Sequence, residues 1–476
     1  MKRSLITTML ALVLIAGTCV VNDTTNPVVT IVVPANNAVL APGTITIKAV
    51  ATDNKAIARV EFFAGAAKIG EDATASADTF DVSWTVSTEG SYTLKVVAWD
   101  KSDNTAEHSI SVTIQTGGGG TGPTYHENDI VGGDSVWYPS GNPHIVKNNL
   151  DINQNGKLTI MPGCVVKFNT GAGFRVGQTT PGELVAIGKP DSGIVFTSNA
   201  ATPNAGDWLG FDFYEETRTS SQLSYCDVNY AGWENYGAVN IEWSGSVRID
   251  HTTIRNAPKY GIWFGGDNGY IAGFTGNTIT GCGGYPIYIR PGKLSKLMGG
   301  NTLTGNAKNG IYVTSGNVTE TGEWVNQGVP FVIGGSVSVG SADGAFLTIG
   351  KGATVKMGVD NHIAVGHSGP GGLKADSVVF TSAAATPQRG DWDGIWFYER
   401  STDAECRLTN CIIEFGGGDG YGNVWIEDAL PTITGCHIAH SASWGIYLSG
   451  ADYPNPDELE NNNTWDDNVS GNVRRP

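Results

Sequence analysis

The stretch Asn277-Thr278-Ile279-Thr280-Gly281 recurs 24 residues later as Asn301-Thr302-Leu303-Thr304-Gly305. The same step relates Ile287-Tyr288 to Ile311-Tyr312, and Ile262-Trp263 lies about one further step upstream. Short β-type runs at intervals of 22 to 29 residues, separated by glycine and asparagine, predict a solenoid of β-coils. Leucine-rich repeats have a comparable period, but the regular leucine pattern that they need is absent here.

A longer repeat encloses the short one. Residues 202–208 (TPNAGDW) recur as residues 386–392 (TPQRGDW), and Phe213-Tyr214-Glu215 recurs as Phe397-Tyr398-Glu399. Both pairs are 184 residues apart. The sequence therefore predicts two duplicated units with one fold, unit 1 at about 135–320 and unit 2 at about 321–470.

The composition agrees with a chain made of strands and turns. Glycine accounts for 65 of 476 residues, about 14% against a usual share of about 7%. Glycine disfavours helix interiors, and its lack of a three-residue period excludes collagen. Hydrophobic residues make up 40% of the chain, too many for a disordered protein. We expect an all-β protein.

The N-terminal part has a different pattern. Residues 27–115 contain about seven short alternating runs, among them Val28–Val33 and Val60–Phe63, which predict a β-sandwich. The runs, together with Asp53-Asn54 and Ala98-Trp99-Asp100, resemble bacterial Ig-like modules, which commonly serve as spacers. A glycine-rich linker follows at 116–124 and separates this sandwich from the solenoid at 125–476.

The solenoid also resembles a known group. Residues 158–168 (LTIMPGCVVKF), Ile194–Ser198 and Gly206-Asp207-Trp208 are similar to segments of exported bacterial proteins with the right-handed parallel β-helix, or pectate-lyase-like, fold. The resemblance implies that fold, with roughly 14 coils of about 24 residues each. It does not imply an activity, because most such proteins have none established.

The first residues are typical of an export signal. Lys2 and Arg3 precede an apolar run at residues 5–15, which predicts a signal peptide at 1–19. Cys19 resembles the lipidated cysteine of bacterial lipoproteins, followed by a short tether at 20–26; the alternative is an ordinary cleaved signal with Cys19 incidental. We expect an exported monomer at the cell surface or outer membrane, held to a membrane only by lipid, or else secreted.

Charge and cysteines narrow the possible partners. The net charge of −17 disfavours nucleic-acid binding, because phosphate backbones would be repelled. No Cys-x-x-Cys pair signals zinc, and no pattern signals a metal or another cofactor, although calcium stays open. We expect the six cysteines after Cys19 to be free, buried thiols.

Aromatic residues recur at one position in the coils. Each coil has an apolar-x-apolar triplet whose middle residue should face outward. Read along the sheet, these middle residues predict one column: Asp212, Asn240, Trp263, Tyr288, Tyr312, Trp396, Trp425 and Tyr447. Arg290 should lie outward beside this column, and small residues such as Gly210 and Gly261 should form a shallow trough along it. Two interpretations stay open: a carbohydrate-binding face, or cross-strand stacking that stabilises the sheet.

Catalysis has weaker support. Asp207 with Glu215, Asp391 with Glu399, and Glu427 with Asp428 could act as acid and base on a glycosidic bond. The first two pairs are equivalent in the two units, which favours a role in turns. We therefore predict a non-enzymatic surface or adhesion protein that binds a polysaccharide or cell-surface glycan. The alternative is a polysaccharide lyase or glycoside hydrolase acting in a groove, which a cluster of carboxylates and bases there would favour.

Overall fold

The computed structural model describes residues 23–36, 38–40, 42–74, 76, 78–114, 123–266 and 269–476. The chain divides into two compact units on either side of the Thr116–Gly117 boundary, and each is described by itself. The predicted signal peptide with Cys19, the first three tether residues and linker residues 116–122 lie outside the described residues.

The N-terminal unit is a sandwich of two sheets, with strand orders β1-β3-β6 and β2-β8-β7-β4-β5 among the described residues. Alternating side chains from both sheets, including Phe62, Trp84 and Val96, form one buried core. The predicted Ig-like fold is confirmed. The strands are β1 (Val28–Val33), β2 (Ala38–Leu40), β3 (Gly43–Thr52), β4 (Ile57–Ala64), β5 (Ala67–Asp72), β6 (Thr79–Val86), β7 (Gly90–Asp100) and β8 (Thr105–Ile114).

The C-terminal unit is a parallel β-helix. Its strands up to the middle of the unit are β9 (Thr124–His126), β10 (Ile130–Val131), β11 (Asp134–Trp137), β12 (His144–Val146), β13 (Leu150–Asn153), β14 (Gly156–Ile160), β15 (Val165–Phe168), β16 (Gly173–Val176), β17 (Gly182–Ile187), β18 (Ile194–Ser198), β19 (Gly210–Phe213), β20 (Gln222–Ser224), β21 (Cys226–Asn229), β22 (Gly237–Ile241), β23 (Ser246–Asp250), β24 (Thr253–Arg255), β25 (Tyr260–Phe264), β26 (Tyr270–Thr275), β27 (Thr278–Thr280) and β28 (Ile287–Ile289).

The remaining strands are β29 (Ile311–Val313), β30 (Gly316–Val318), β31 (Gly322–Trp324), β32 (Phe331–Ile333), β33 (Val337–Val339), β34 (Ala345–Ile349), β35 (Thr354–Met357), β36 (His362–Val365), β37 (Gly371–Asp376), β38 (Val379–Ser382), β39 (Gly394–Phe397), β40 (Arg407–Thr409), β41 (Ile412–Glu414), β42 (Gly422–Glu427), β43 (Thr432–Thr434), β44 (His437–Ala439), β45 (Trp444–Ser449), β46 (Thr464–Asp466) and β47 (Gly471–Arg474). Helical segments are short: 3₁₀ turns at Pro139–Gly141, Pro291–Lys296 and Asp403–Glu405, and helix α1 at Pro456–Asn461. Among the described residues, no helix combines the length and the apolar character needed to cross a bilayer.

These strands form five parallel sheets within the described residues. Sheet A is β9-β12-β15-β18-β21-β24-β27, and sheet C is β11-β14-β17-β20-β23-β26. Sheet B runs through the whole unit with 14 strands: β10-β13-β16-β19-β22-β25-β28-β29-β32-β35-β38-β41-β44-β46. Sheet D is β30-β33-β36-β39-β42-β45-β47, and sheet E is β31-β34-β37-β40-β43. Because each coil contributes one strand to sheet B, its 14 strands confirm the predicted β-helix of about 14 turns.

Equivalent strands of the two sequence repeats lie in different sheets. Strand β18 belongs to sheet A, whereas its repeat β38 belongs to sheet B. Likewise β19 belongs to sheet B and its repeat β39 to sheet D. The repeat therefore advances the chain by one sheet beyond a whole number of coils. The reading of the repeated triplets as one continuous column assumed whole coils, and it is wrong for that reason.

Inside the coils, apolar side chains stack on those of the coils above and below. The flanking residues of the triplets, such as Ile262, Phe264 and Ile287, are fully buried. At one corner, a row of hydrogen-bonded polar residues replaces the apolar side chains. The Thr252 amide donates to Asn277 Oδ1, and the Asn277 amide donates to Asn301 Oδ1, each at 3.0 Å. The six cysteines after Cys19 are buried and unpaired, as predicted.

Candidate functional site

The predicted aromatic column is divided between two sheets. Its first five members lie on neighbouring strands of sheet B and its last three on sheet D: Asp212, Asn240, Trp263, Tyr288 and Tyr312, and then Trp396, Trp425 and Tyr447. All except the buried Asn240 are half-buried and project outward between buried neighbours, as the triplet pattern predicts. Each group has to be judged by its own surroundings.

The rings on sheet B stack on one another. The ring centres of Trp263 and Tyr288 are 6.2 Å apart with their planes inclined by 20°, and those of Tyr288 and Tyr312 are 5.3 Å apart with an inclination of 11°. Neighbouring rings therefore occupy both faces of Tyr288, and a sugar ring has no free face there on which to stack. This geometry favours the cross-strand packing interpretation for these three residues, which we call the ladder.

The aromatic residues on sheet D are also covered. The His362 ring lies 3.7 Å from that of Trp396, nearly parallel to it, and the Tyr421 ring lies 4.0 Å from that of Trp425. The guanidinium of Arg474 sits 4.3 Å above the Tyr447 ring. These contacts form a packed cluster with few free ring faces.

The predicted trough of small residues is not open. Gly210, Gly261 and Gly310 are all buried. Beside the ladder, Tyr260 packs 5.0 Å from Tyr288 and Tyr285 packs 5.2 Å from Tyr312. A second row of aromatic rings thus flanks the ladder. The prediction failed because it took small side chains as evidence of open space.

An open pocket lies where the ladder ends, toward β19. Its volume is about 450 Å³. Its lining comes mainly from the outward positions of β19 and β22 and from the loop that precedes β22: Gly171, Leu209, Asp212, Tyr214, Trp233, Tyr236, Asn240 and Glu242. We call this the acidic pocket, since both of its titratable carboxyl groups, on Asp212 and Glu242, belong to one small concave surface.

Asn240 holds Asp212 in place. The Asn240 amide nitrogen Nδ2 donates to Asp212 Oδ1 at 2.8 Å and to the Gly237 carbonyl at 3.2 Å. Its own Oδ1 accepts from the Gly237 amide at 2.8 Å. Because Asn240 is only 2% exposed and fully engaged, its role is to orient Asp212 rather than to bind a ligand.

The pKa values of both carboxyl groups of the pocket are raised above their ordinary values. Burial raises the pKa of Glu242 to about 7, and the nearby Asp212 charge adds to the rise. Burial raises the pKa of Asp212 to about 6, although Asn240 and Arg175 oppose it. Near neutral pH a large fraction of Glu242 is therefore protonated, and it can then both donate and accept hydrogen bonds.

Exposed aromatic side chains surround this pocket. Trp233 and Tyr236 are 48% and 41% exposed and line its wall, and Trp243 is 66% exposed beside Glu242. These residues lie outside the apolar-x-apolar triplets, so the triplet pattern does not predict them. A comparison of the two repeats could have identified Trp233. When Tyr236-Gly237 is aligned with Tyr421-Gly422, Trp233 corresponds to Gly418, so the large aromatic side chain is present in the first repeat only.

Two further cavities continue the acidic pocket along sheet B. Glu242 also lines a cavity of about 460 Å³ that reaches Arg290, and Arg290 lines a third cavity of about 410 Å³. Together they extend from β19 to β29, four interstrand steps of about 4.8 Å, or roughly 19 Å. We call this row of three cavities, in which each shares a lining residue with the next, the groove. It brings together three of the predicted residues, Asp212, Asn240 and Arg290.

The repeated aspartates, Asp207 and Asp391, have the turn role predicted for them. Asp207 Oδ2 accepts from the Ser198 hydroxyl at 2.6 Å and from the Asn204 amide at 2.9 Å, and Asp391 makes the equivalent contacts in the second repeat. Asp428 Oδ1 accepts from the amides of Ala451 and Asp452. Carboxylates occupied by turn amides are poor candidates for acid–base chemistry.

Two family models match the chain. A model of a bacterial Ig domain matches residues 27–96, and a model of a right handed beta helix region matches residues 146–322. No curated protein matches. Among solved structures, the fibronectin(III)-like modules of Clostridium thermocellum CbhA are 27% identical, over 19% of this chain and 47% of theirs, with a TM-score of 0.17. The chain thus spans about half of that structure.

Proposed function

We propose that this chain, in which a bacterial Ig domain is followed by a right-handed β-helix, binds carbohydrate in the groove that starts at the acidic pocket. The observation that carries the proposal is one open concavity in which the exposed rings of Trp233 and Tyr236 lie beside the carboxyl groups of Asp212 and Glu242. The exposed ring of Trp243 lines the next cavity, which shares Glu242. Sugars combine apolar ring faces with hydroxyl groups, so they suit a surface that offers flat rings and hydrogen-bonding groups together.

The charge of the pocket favours neutral sugars. Asp212 and Glu242 accept hydrogen bonds from hydroxyl groups, but they repel the carboxylates of uronic acids or the sulfates of sulfated glycans once they ionise. The net charge of −17 acts in the same direction at long range. We therefore expect retention of neutral polysaccharides to exceed that of polyuronates.

A panel of polysaccharides, scored by affinity electrophoresis, tests this proposal. We expect the double variant Trp233→Ala/Tyr236→Ala to lose retention of the preferred glycan by at least about tenfold, as stacking contacts are worth about 1–2 kcal/mol. Tyr421→Ala is the matched control, since Tyr421 occupies the position of Tyr236 in the second repeat and should leave retention unchanged. Unchanged retention in the double variant would remove the groove as the binding site.

A second candidate, glycoside hydrolysis, is favoured by one observation. A carboxyl group with a pKa of about 7 beside a second carboxyl is the arrangement in which one group can protonate a leaving oxygen. Glu242 would be the acid and Asp212 its partner. Reducing-end assays on the same panel test it: cleavage by the wild type, lost in Glu242→Gln while retention persists, is the expected result. Absence of any release by the wild type would leave binding alone.

We also propose that the chain is exported and anchored through Cys19, on the basis of the sequence at 1–19. Incorporation of a labelled fatty acid into the wild type, and its loss in Cys19→Ser, is the expected outcome. An unlabelled wild type would leave a secreted protein with an ordinary signal peptide.

A further inference from the structure

Three aspartates from distant parts of the sequence meet at one end of the N-terminal sandwich. Asp23 precedes β1, Asp53 directly follows β3, and Asp100 is the last residue of β7. One carboxylate oxygen of each lies within 4.8 Å of one of each of the others. Asp23 and Asp100 are only 8% and 2% exposed. Such close negative charges with little access to water repel one another strongly unless a cation lies between them.

The carboxylates are held in fixed orientations. Asp23 Oδ1 accepts from the Thr25 amide at 3.0 Å, and Asp53 Oδ2 accepts from the Lys55 amide at 2.9 Å. Asp100 Oδ1 accepts from the amides of Ser102 and Asn104 at 2.7 and 2.8 Å.

The remaining oxygens point to a ligand. Asp23 Oδ2 and Asp53 Oδ1 are buried and have no hydrogen-bond partner among the described residues. A buried carboxylate oxygen without a partner is costly, since nothing replaces the water that it has lost. Asp23 is more than nine-tenths buried, so bulk water does not compensate it. A bound cation would satisfy both oxygens and the excess charge at once.

The donor atoms indicate the class of cation. All are hard carboxylate oxygens, with no sulfur or imidazole nitrogen, which disfavours zinc and favours calcium or magnesium. Two oxygens that each coordinate calcium at about 2.4 Å lie at most about 4.8 Å apart, and one oxygen of each aspartate lies within that distance of the other two. Magnesium usually keeps several waters and is bound through only one or two carboxylates, so a site built from three carboxylates suits it less well.

We propose that Asp23, Asp53 and Asp100 form a calcium site that fastens the segment before β1 to the turns after β3 and β7. Calcium commonly takes six to eight oxygen ligands, so the three carboxylates would be completed by carbonyl oxygens or water. Asn104 supports the arrangement, because its Nδ2 donates to Asp100 Oδ2 at 2.7 Å and to the Asp23 carbonyl at 2.9 Å. Asp23 and Asp100 lie outside residues 27–96, the range that the bacterial Ig domain model matches.

Calorimetric titration of the EDTA-treated full chain with CaCl₂ tests the proposal. We expect one site with a dissociation constant between about 10⁻⁵ and 10⁻³ M, and magnesium binding at least about tenfold weaker. At 10 mM CaCl₂, the unfolding midpoint of the sandwich should rise by about 5–30 °C, more for tighter binding. If calcium up to 10 mM produces no heat of binding and no shift of the unfolding midpoint, the proposed site is overturned. Equal binding of magnesium would overturn its assignment to calcium.

Variants locate the bound ion. Asp53→Asn should weaken calcium binding at least tenfold, because it removes one charged ligand without touching the core. Asp81→Asn, which removes an exposed carboxylate elsewhere in the sandwich, is the control and should bind as the wild type does. Wild-type affinity in Asp53→Asn would place the calcium elsewhere and overturn the proposal. If Asp53→Asn fails to fold, protection of the wild-type β1 amides from hydrogen exchange by calcium decides, and unchanged protection counts against the site.

Discussion

The two repeats of the β-helix share a framework but differ in what they place on it. Gly210-Phe211-Asp212-Phe213-Tyr214 corresponds to Gly394-Ile395-Trp396-Phe397-Tyr398, and Val239-Asn240-Ile241-Glu242 to Val424-Trp425-Ile426-Glu427. The inward residues are apolar in both. The outward Asp212 and Asn240 of the first repeat are replaced by two tryptophans in the second.

That replacement distinguishes an open pocket from a packed cluster. Asp212 and Asn240 are short and leave about 450 Å³ in front of them. Trp396 and Trp425 contact each other at 5.4 Å, and Tyr421 lies flat on Trp425 at 4.0 Å. Duplicated residues therefore indicate the scaffold, and positions where the copies diverge indicate where the surface has acquired a separate role.

Loss of the tryptophan cluster should have the largest effect, and it should be on stability. Trp425→Ala removes the stacking with Tyr421 and the 2.8 Å hydrogen bond from Trp425 Nε1 to Ser449 Oγ. We expect a loss of about 2–4 kcal/mol in the free energy of unfolding, measured by denaturant titration. Trp233→Ala is the control: because Trp233 is 48% exposed, its removal should change stability by no more than about 0.5 kcal/mol. Equal losses in the two variants would contradict the distinction.

Converting the pocket into the cluster should have the next largest effect, and it should be on binding. Asp212→Trp places in the first repeat the side chain that its counterpart carries, on the same framework. We expect retention of the preferred glycan to fall at least about tenfold, or about 1.4 kcal/mol, with little change in the unfolding midpoint. Asp212→Asn, which keeps the cavity open, should fall less. Full retention in Asp212→Trp would show that the glycan does not enter this pocket.

The fold could be predicted from the sequence because its causes are local and repeated. An apolar-x-apolar triplet needs only the alternation of a strand to define inside and outside, and Asn277 and Asn301 mark the same corner one coil apart. The site could not be predicted in this way. Whether Tyr288 offers a free face depends on Trp263 and Tyr312 in neighbouring coils, and the position of Trp396 depends on a repeat that is not a whole number of coils.

Long-range contacts explain the other misses. Trp233 and Tyr236 lie in a loop, so no periodicity marks them, and only the fold shows that the loop borders Asp212. The Asp23, Asp53 and Asp100 cluster is assembled from three segments whose separation in the sequence gives no metal-ligand spacing. Patterns that depend on chain neighbours were readable, whereas those that depend on approach in space were not.

The smallest expected effect concerns the pH dependence of stability in the two repeats. The pKa of Glu242 rises from its ordinary value of 4.5 to about 7 on folding, so between these pH values the folded chain binds a proton that the unfolded chain releases. This group therefore stabilises the fold relatively more at low pH, and its contribution is lost as the pH rises from 4.5 to 7. Glu242→Gln removes that loss. Relative to the wild type, we expect it to gain on the order of 1 kcal/mol at pH 8, after allowance for partial solvent screening, and almost nothing at pH 4.

Unfolding midpoints of the wild type and Glu242→Gln, compared at several pH values, measure this difference. Glu427→Gln is the matched control, because Glu427 holds the position equivalent to Glu242 in the second repeat. There the position of Asp212 is occupied by Trp396, so no second carboxylate stands at that position. A pH-dependent gain confined to Glu242→Gln would tie the charge interaction to the pocket of the first repeat. A difference between Glu242→Gln and the wild type that stays constant with pH would show that Glu242 keeps an ordinary pKa, and the argument for an acid in the groove would then fail.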